Sequence, residues 1–161
     1  MSNMVFVPVS YVDAKKFSCE NHLYLDTFPA GHVFSLGFTK RLHLVGVITW
    51  GRPTNPHYDD GYTLQGYRLA TDHSVRNMGS MLIARSLRVI QLLGYRRAIS
   101  YVKCGYRGHQ VRACGFFLKR SNILARDGSR LQLFTHSFLS ENQWKINWKS
   151  IEYQLTDFLY C

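Results

Sequence analysis

Leu69-Ala70-Thr71-Asp72-His73-Ser74-Val75-Arg76-Asn77-Met78-Gly79-Ser80-Met81-Leu82-Ile83 is the stretch on which the fold turns. It carries the end of an apolar strand through a polar turn into a helix. Leu82, Ile83, Leu87, Ile90 and Leu93 recur at three- and four-residue spacing while Arg85, Arg88 and Gln91 take the other side. That period predicts an amphipathic helix over residues 77–93, stopped by Gly94. A loop that opens a helix after a strand gathers backbone N–H groups lacking intrahelical acceptors at one point. Arg76, Asn77, Gly79 and Ser80 would build there a seat for a phosphate-bearing cofactor. The plainer reading is an N-cap, with Asn77 or Ser80 satisfying the first turn.

Upstream, residues 62–72 read as a strand, and residues 51–61, with two prolines and Asp59-Asp60-Gly61, as a loop. Residues 32–38 and 42–50 predict a hairpin closed by Thr39, Lys40 and Arg41. Its second strand is apolar at nearly every position, which places it centrally with both faces buried. Residues 4–10 predict a first strand and 12–19 a short helix. Downstream, residues 97–103 form a strand reached by a crossover from the long helix. Residues 107–114 predict a helix of about two turns ending at Gly115. Strands follow at 116–119 and, beyond the Asp127-Gly128 turn, at 130–135. Trp144, Trp148, Ile151, Tyr153, Leu155 and Phe158 make the last segment too aromatic for a tail, so it is expected to pack on the body. The sum is one α/β (α+β) domain over residues 1–161, a central sheet flanked by helices.

Composition sets outer bounds. Of 161 residues 46% are hydrophobic and 19% charged, an ordinary globular balance. No apolar run approaches the roughly 20 residues that cross a bilayer, and Met-Ser-Asn-Met lacks the features of a signal peptide. A soluble, cytoplasmic protein is expected. Cys19, Cys104, Cys114 and Cys161 show neither metal-ligand nor disulfide spacing, so reduced thiols and no metal are expected. Twenty Lys and Arg against ten Asp and Glu give a net charge of +10. Such a field favours nucleic acid, an anionic cofactor or an acidic protein.

Arg76-Asn77-Met78-Gly79-Ser80-Met81 resembles the Gln/Arg-x-x-Gly-x-Gly/Ala cofactor loop of the GCN5-related N-acetyltransferases (GNATs), with Met81 where Gly or Ala is usual. Ala113-Cys114-Gly115-Phe116 is similar to the superfamily's Tyr-x-x-x-Gly-Phe exit from its fourth helix, with Val111 in the tyrosine's place. A nearer resemblance, to small phage- and plasmid-encoded GNAT-like proteins, rests on Gly51-Arg52-Pro53, Asp59-Asp60-Gly61, Arg68-Leu69-Ala70-Thr71-Asp72 and Gly94-Tyr95-Arg96-Arg97. A more distant one links Gly-Val-Ile-Thr-Trp-Gly-Arg-Pro at 46–53, Ser100-Tyr101 and Gly108-His109 to the phage Mom DNA-modification proteins. Both relatives usually carry glutamate where this chain has Gln65.

The resemblance implies a mixed, mostly antiparallel sheet and acetyl-CoA as cofactor. Its pyrophosphate would lie on the amides of Arg76, Asn77, Gly79, Ser80 and Met81. The oxyanion donor would be a fourth-strand N–H near Leu69, Ala70 and Thr71. An amine attacking a thioester needs a proton acceptor and a proton for the leaving thiolate. Asp72 and Asp60 are the carboxylates nearest the cofactor loop, though both also suit plain turns. His22 and His109 are further bases by pKa, and with Arg68 and Asp72 they would form a cluster if they converge in space. Tyr101 and Tyr106 are candidate acids. The function implied is an acyl-CoA-dependent N-acyltransferase. The alternatives are a Mom-like modifier of a DNA nucleobase, or a non-catalytic nucleic-acid-binding or host-interaction protein on the same fold. For a nucleic-acid target, Arg52, Lys103 and Arg107 are the cations expected to track the backbone.

Overall fold

The computed structural model describes residues 4–21 and 30–138. The aromatic segment beyond residue 138, and His22 with it, lie outside the described residues. Among the described residues seven strands form one sheet in the order β1-β2-β3-β4-β5-β7-β6. They are β1 (Met4–Val9), β2 (His32–Lys40), β3 (His43–Gly51), β4 (Thr63–Thr71), β5 (Arg97–Lys103), β6 (Phe117–Leu124) and β7 (Arg130–Ser137). Three α-helices join them: α1 (Tyr11–Asn21), α2 (Met78–Leu92) and α3 (His109–Ala113). Among the described residues only β4 and β5 pair in parallel, and α2 is the crossover between them. The sheet is therefore mixed and mostly antiparallel.

β3 is buried from Val45 through Gly51, as its unbroken apolar run requires. Side chains alternate across it. Val47 and Ala70 meet Ala14 of α1 on one face. Ile48 and Trp50 meet Leu82, Ile83 and Ile90 of α2 on the other. Gly46 is glycine because Met78 Cγ lies 2.8 Å from where a β-carbon would stand.

The β2–β3 hairpin turns on Arg41 and Leu42, one residue later than its sequence suggests. Lys40 pairs with His43, and Arg41 and Leu42 hold φ of 50° and 68°. Two left-handed residues make the turn whose twist matches the strands, usually with Asn-Gly. Arg-Leu gives no such signal, so β2 runs two residues further than expected and β3 lies one residue later. α3 is shorter than two turns because left-handed Gly108 and Gly115 bracket it, at φ 62° and 83°. β6 reaches Leu124 instead of Lys119. It is exposed along almost its whole length, and its pairing to β7 shifts register twice.

Candidate active site

An extra residue in β4 opens the site. Thr49 pairs with Arg68 but Trp50 pairs with Gly66, leaving Tyr67 as a bulge. A bulge bends its strand. The parallel pairing of β4 with β5 stops at the same place, at Gly66 opposite Ser100, and the two strands then splay. β4 runs on to Thr71 beside β3, while β5 runs on to Lys103 beside β7. Asp72 N donates to Val45 O at 3.1 Å and Arg68 N to Thr49 Oγ1 at 3.1 Å. Those residues turn their N–H groups towards β3, so antiparallel alternation aims the N–H groups of Leu69 and Thr71 into the splay. The splay leads to the start of α2.

The first intrahelical bond of α2 runs from Met81 N to Asn77 O at 3.0 Å, so the Met78, Gly79 and Ser80 amides have no intrahelical acceptor. Asn77 occupies the N-cap position with φ 59° and its side chain makes no capping bond. The first turn carries no acidic residue. Gly79 is explained by a neighbour. A β-carbon there would lie 2.8 Å from Gln110 Cδ and Nε2 and 2.9 Å from Oε1, near-equal distances that put the amide face-on. Cys114 Sγ donates to Ser80 O at 3.3 Å. α3 is thus keyed onto the first turn of α2 by two contacts.

The α1 side of the splay is roofed by the 51–61 loop. Gln65 is buried, and its Oε1 accepts from Thr54 N at 2.9 Å and Thr54 Oγ1 at 3.1 Å. The Tyr67 hydroxyl donates to Arg52 O, its ring seated over Gly31 and Gly51 where a β-carbon would collide with it. Burial raises the Tyr67 pKa. Tyr101 is the first β5 residue past the last parallel pair. It faces Asn55 and Tyr58 of the loop, and burial, then Tyr58, push its pKa up while Asn55 opposes them. Gln65→Ala should cost about 0.5–1.5 kcal/mol, because the buried Gln65 Oε1 is the acceptor that ties Thr54 of the exposed loop to β4. Gln65→Glu keeps an acceptor for both and should cost less, and urea unfolding of the pair ranks them.

The other candidates do not form one cluster. Arg68 shares the α1 face with Ala70; it is half-buried and donates to Tyr67 O at 2.8 Å, and burial lowers its pKa. Asp72 lies about 13 Å further along the chain by strand rise. Its Oδ1 accepts from Ser74 N and Oγ at 2.9 and 2.7 Å, the turn role. Asp60 likewise accepts from Tyr62 N and Thr63 Oγ1. Tyr106 and His109 do come together, but on the α2 side, in a groove of about 390 Å³ at the start of α3. Arg52, one of the cations expected along a nucleic-acid backbone, pairs with Asp59 at 2.6 Å. Tyr67 and Gln110 were not anticipated. Gly66, isolated in a strand, was the signal for the bulge; nothing marked Gln110. Among the described residues no three His, Cys, Asp or Glu side chains could hold a metal ion, and no helix is long and apolar enough to cross a membrane.

Comparison with solved structures aligns most of this chain with acetyltransferases. The fold is GNAT-like. The Escherichia coli ribosomal-protein-S18-alanine N-acetyltransferase is 10% identical and superposes with a TM-score of 0.66, over 87% of this chain and 98% of its own. An N-acetyltransferase from Staphylococcus aureus is 16% identical with a TM-score of 0.64, over 84% and 99%. A Bacillus subtilis acetyltransferase in complex with CoA is 11% identical with a TM-score of 0.61, over 86% and 100%. No family model and no curated protein matches the sequence. At these identities the likeness is one of fold.

Proposed function

We propose that this protein transfers an acetyl group from acetyl-CoA to an amine. The observation that supports the reading is the splay of β4 from β5, followed along the chain by a helix whose first amides, Met78 to Ser80, have no intrahelical acceptor. Acetyl-CoA supplies the activated acyl thioester. The α2 amides, with Arg76 beside them, hold its phosphates, and side chains matter little to that job. The Leu69 and Thr71 N–H groups stabilise negative charge on the reacting carbonyl oxygen. The splay sets the thioester beside an amine entering under the 51–61 loop, which supplies proximity. Tyr101, at the mouth of the splay, holds the proton given to the leaving thiolate. The proton acceptor is drawn from Asp72, Asp60 and His109, with Asp72 nearest the cofactor turn. A nucleobase amine, the acceptor implied by the Mom resemblance, is the second reading, favoured by the net charge of +10.

Acetyl-CoA at 100 times its Kd should stabilise the fold by about 2.7 kcal/mol. Gly79→Val should abolish that gain, because the new side chain must displace Gln110 and with it α3. Arg85→Ala, on the outer face of α2, should keep it. Thermal melts with and without acetyl-CoA read all three, and a wild-type midpoint unmoved at millimolar acetyl-CoA overturns the proposal.

A further inference from the structure

From His73 to Arg126 the chain contains no aspartate or glutamate and eleven arginines and lysines. α2, β5, α3 and β6 all lie inside that window. A solvated helix face ordinarily interleaves the two signs, which stabilise each other at three- and four-residue spacing. α2 does not. Its exposed Arg85 and Arg88, with exposed Arg76, Arg107 and Arg112, share the α2–α3 face of the sheet. The acids Asp13 and Glu20 sit on α1, across the sheet. At the borders of the window, Asp72 and Asp127 are each bonded to a serine two residues on.

The groove at the start of α3 concentrates this pattern. Gly105, Tyr106, Arg107, His109, Arg112 and Gln132 line it. The Arg112 guanidinium is held at two points, its Nε donating to Arg107 O at 3.1 Å and its Cζ lying 5.0 Å from the Phe134 ring centroid. Tyr106 is 54% exposed beside it. Gln132 Oε1 is buried and has no hydrogen-bond partner among the described residues. An exposed aromatic residue, a preset cation and an orphaned amide acceptor are the three elements that take a nucleotide: a base to stack, a phosphate to pair and an exocyclic amine to donate. A duplex keeps its bases stacked inside, so the groove suits an unpaired strand.

We infer that the α3 groove binds single-stranded nucleic acid, whose backbone continues over the arginines of α2. This needs the fold and the charge pattern only, and stands or falls apart from acetyl transfer. The probe is a fluorescein-labelled oligodeoxyadenylate of about sixteen nucleotides, within the span one such groove covers. With about four phosphates paired, each adding about −0.7 to the slope of log affinity on log salt, affinity should fall about 50-fold from 50 to 200 mM salt. Tyr106→Ala should weaken binding about tenfold at either salt, as a lost stacking platform does. Arg112→Ala and Arg88→Ala should each flatten the slope by about 0.7. Should Arg112→Ala fail to fold, the exposed Tyr106 variant carries the test. Oligodeoxythymidylate, which lacks the amine for Gln132, should bind more weakly than the adenylate. Equal binding of polyglutamate of matched charge would assign the face to an acidic protein. Full displacement by saturating acetyl-CoA would assign the groove to the cosubstrate. Either result, or a Tyr106→Ala variant that binds as wild type, overturns the inference. The acetyl-CoA melting shift, read on the same samples, reports separately on acetyl transfer.

Discussion

Tyr101→Phe is expected to lower kcat for amine acetylation by about a hundredfold or more while leaving the acetyl-CoA-induced rise in Tm intact, since general acid catalysis is worth about 10²–10⁴. The variant deletes one oxygen and keeps the ring that packs beneath the loop. The phenol is the proton-donating form. Burial, then Tyr58, raise its pKa above the ordinary 10.0, against the opposing bond to Asn55. Donation therefore persists through neutral and mildly alkaline pH and is lost only as pH climbs beyond about 10. Stability follows the same sign. The unfolded chain ionises this tyrosine first, so whatever the buried phenol contributes is present below about pH 10 and lost above it. A kcat–pH profile of wild type and variant decides the matter, and a Tyr101→Phe enzyme within about threefold of wild type would remove Tyr101 from the reaction.

Phe134→Ala should destabilise the protein by about 3–5 kcal/mol, the cost of emptying a large aromatic site in a closed core. Phe134 is fully buried in β7, opposite Ser100 of β5 and Leu118 of β6. Its ring also underlies α3: Cζ lies 3.0 Å from where a β-carbon of Gly108 would stand, and the Arg112 guanidinium covers it. Losing the ring should loosen α3 before the sheet. Urea unfolding followed by far-ultraviolet circular dichroism measures the loss, and a change under about 1 kcal/mol would contradict the packing described. Leu92→Ala, 87% exposed at the end of α2, serves as the control and should fall within about 0.5 kcal/mol.

The elements with a strong period were legible. α2 announced itself through Leu82, Ile83, Leu87 and Ile90, and β3 through its unbroken apolar run, because burial on one face or two writes directly into the pattern. The strand–turn–helix junction before Met78 was legible for the same reason. What the period could not carry was anything set across the sheet. The bulge at Tyr67 depends on two strands counting differently, and only Gly66 hinted at it. Gly79 suggested close approach of a ligand; that its neighbour is Gln110, far along the chain, follows from where α3 docks. The Arg41-Leu42 turn has no local signature, so its backbone is dictated by the twist of the strands it joins. Whether Arg68, Asp72 and His109 converge could not be read along the chain: Asp72 closes a turn, Arg68 shares the α1 face of the sheet and His109 opens α3.

Among the described residues β6 ends the sheet, and an edge of eight residues bearing Phe117, Leu118 and Leu124 could recruit a strand from a second molecule. Its two slips in register, at Leu118/Arg120 and Arg120/Ile123, break the even row of donors and acceptors that such recruitment needs. Asn122, left-handed at φ 56°, lies within the second slip, and Lys119 and Arg120 would bring like charges together in an edge-to-edge pair. The irregularity that looks like poor pairing to β7 thus works as a stop against fibril-like growth, and straightening it, by restoring an even ladder through β6, should make the protein more prone to aggregate.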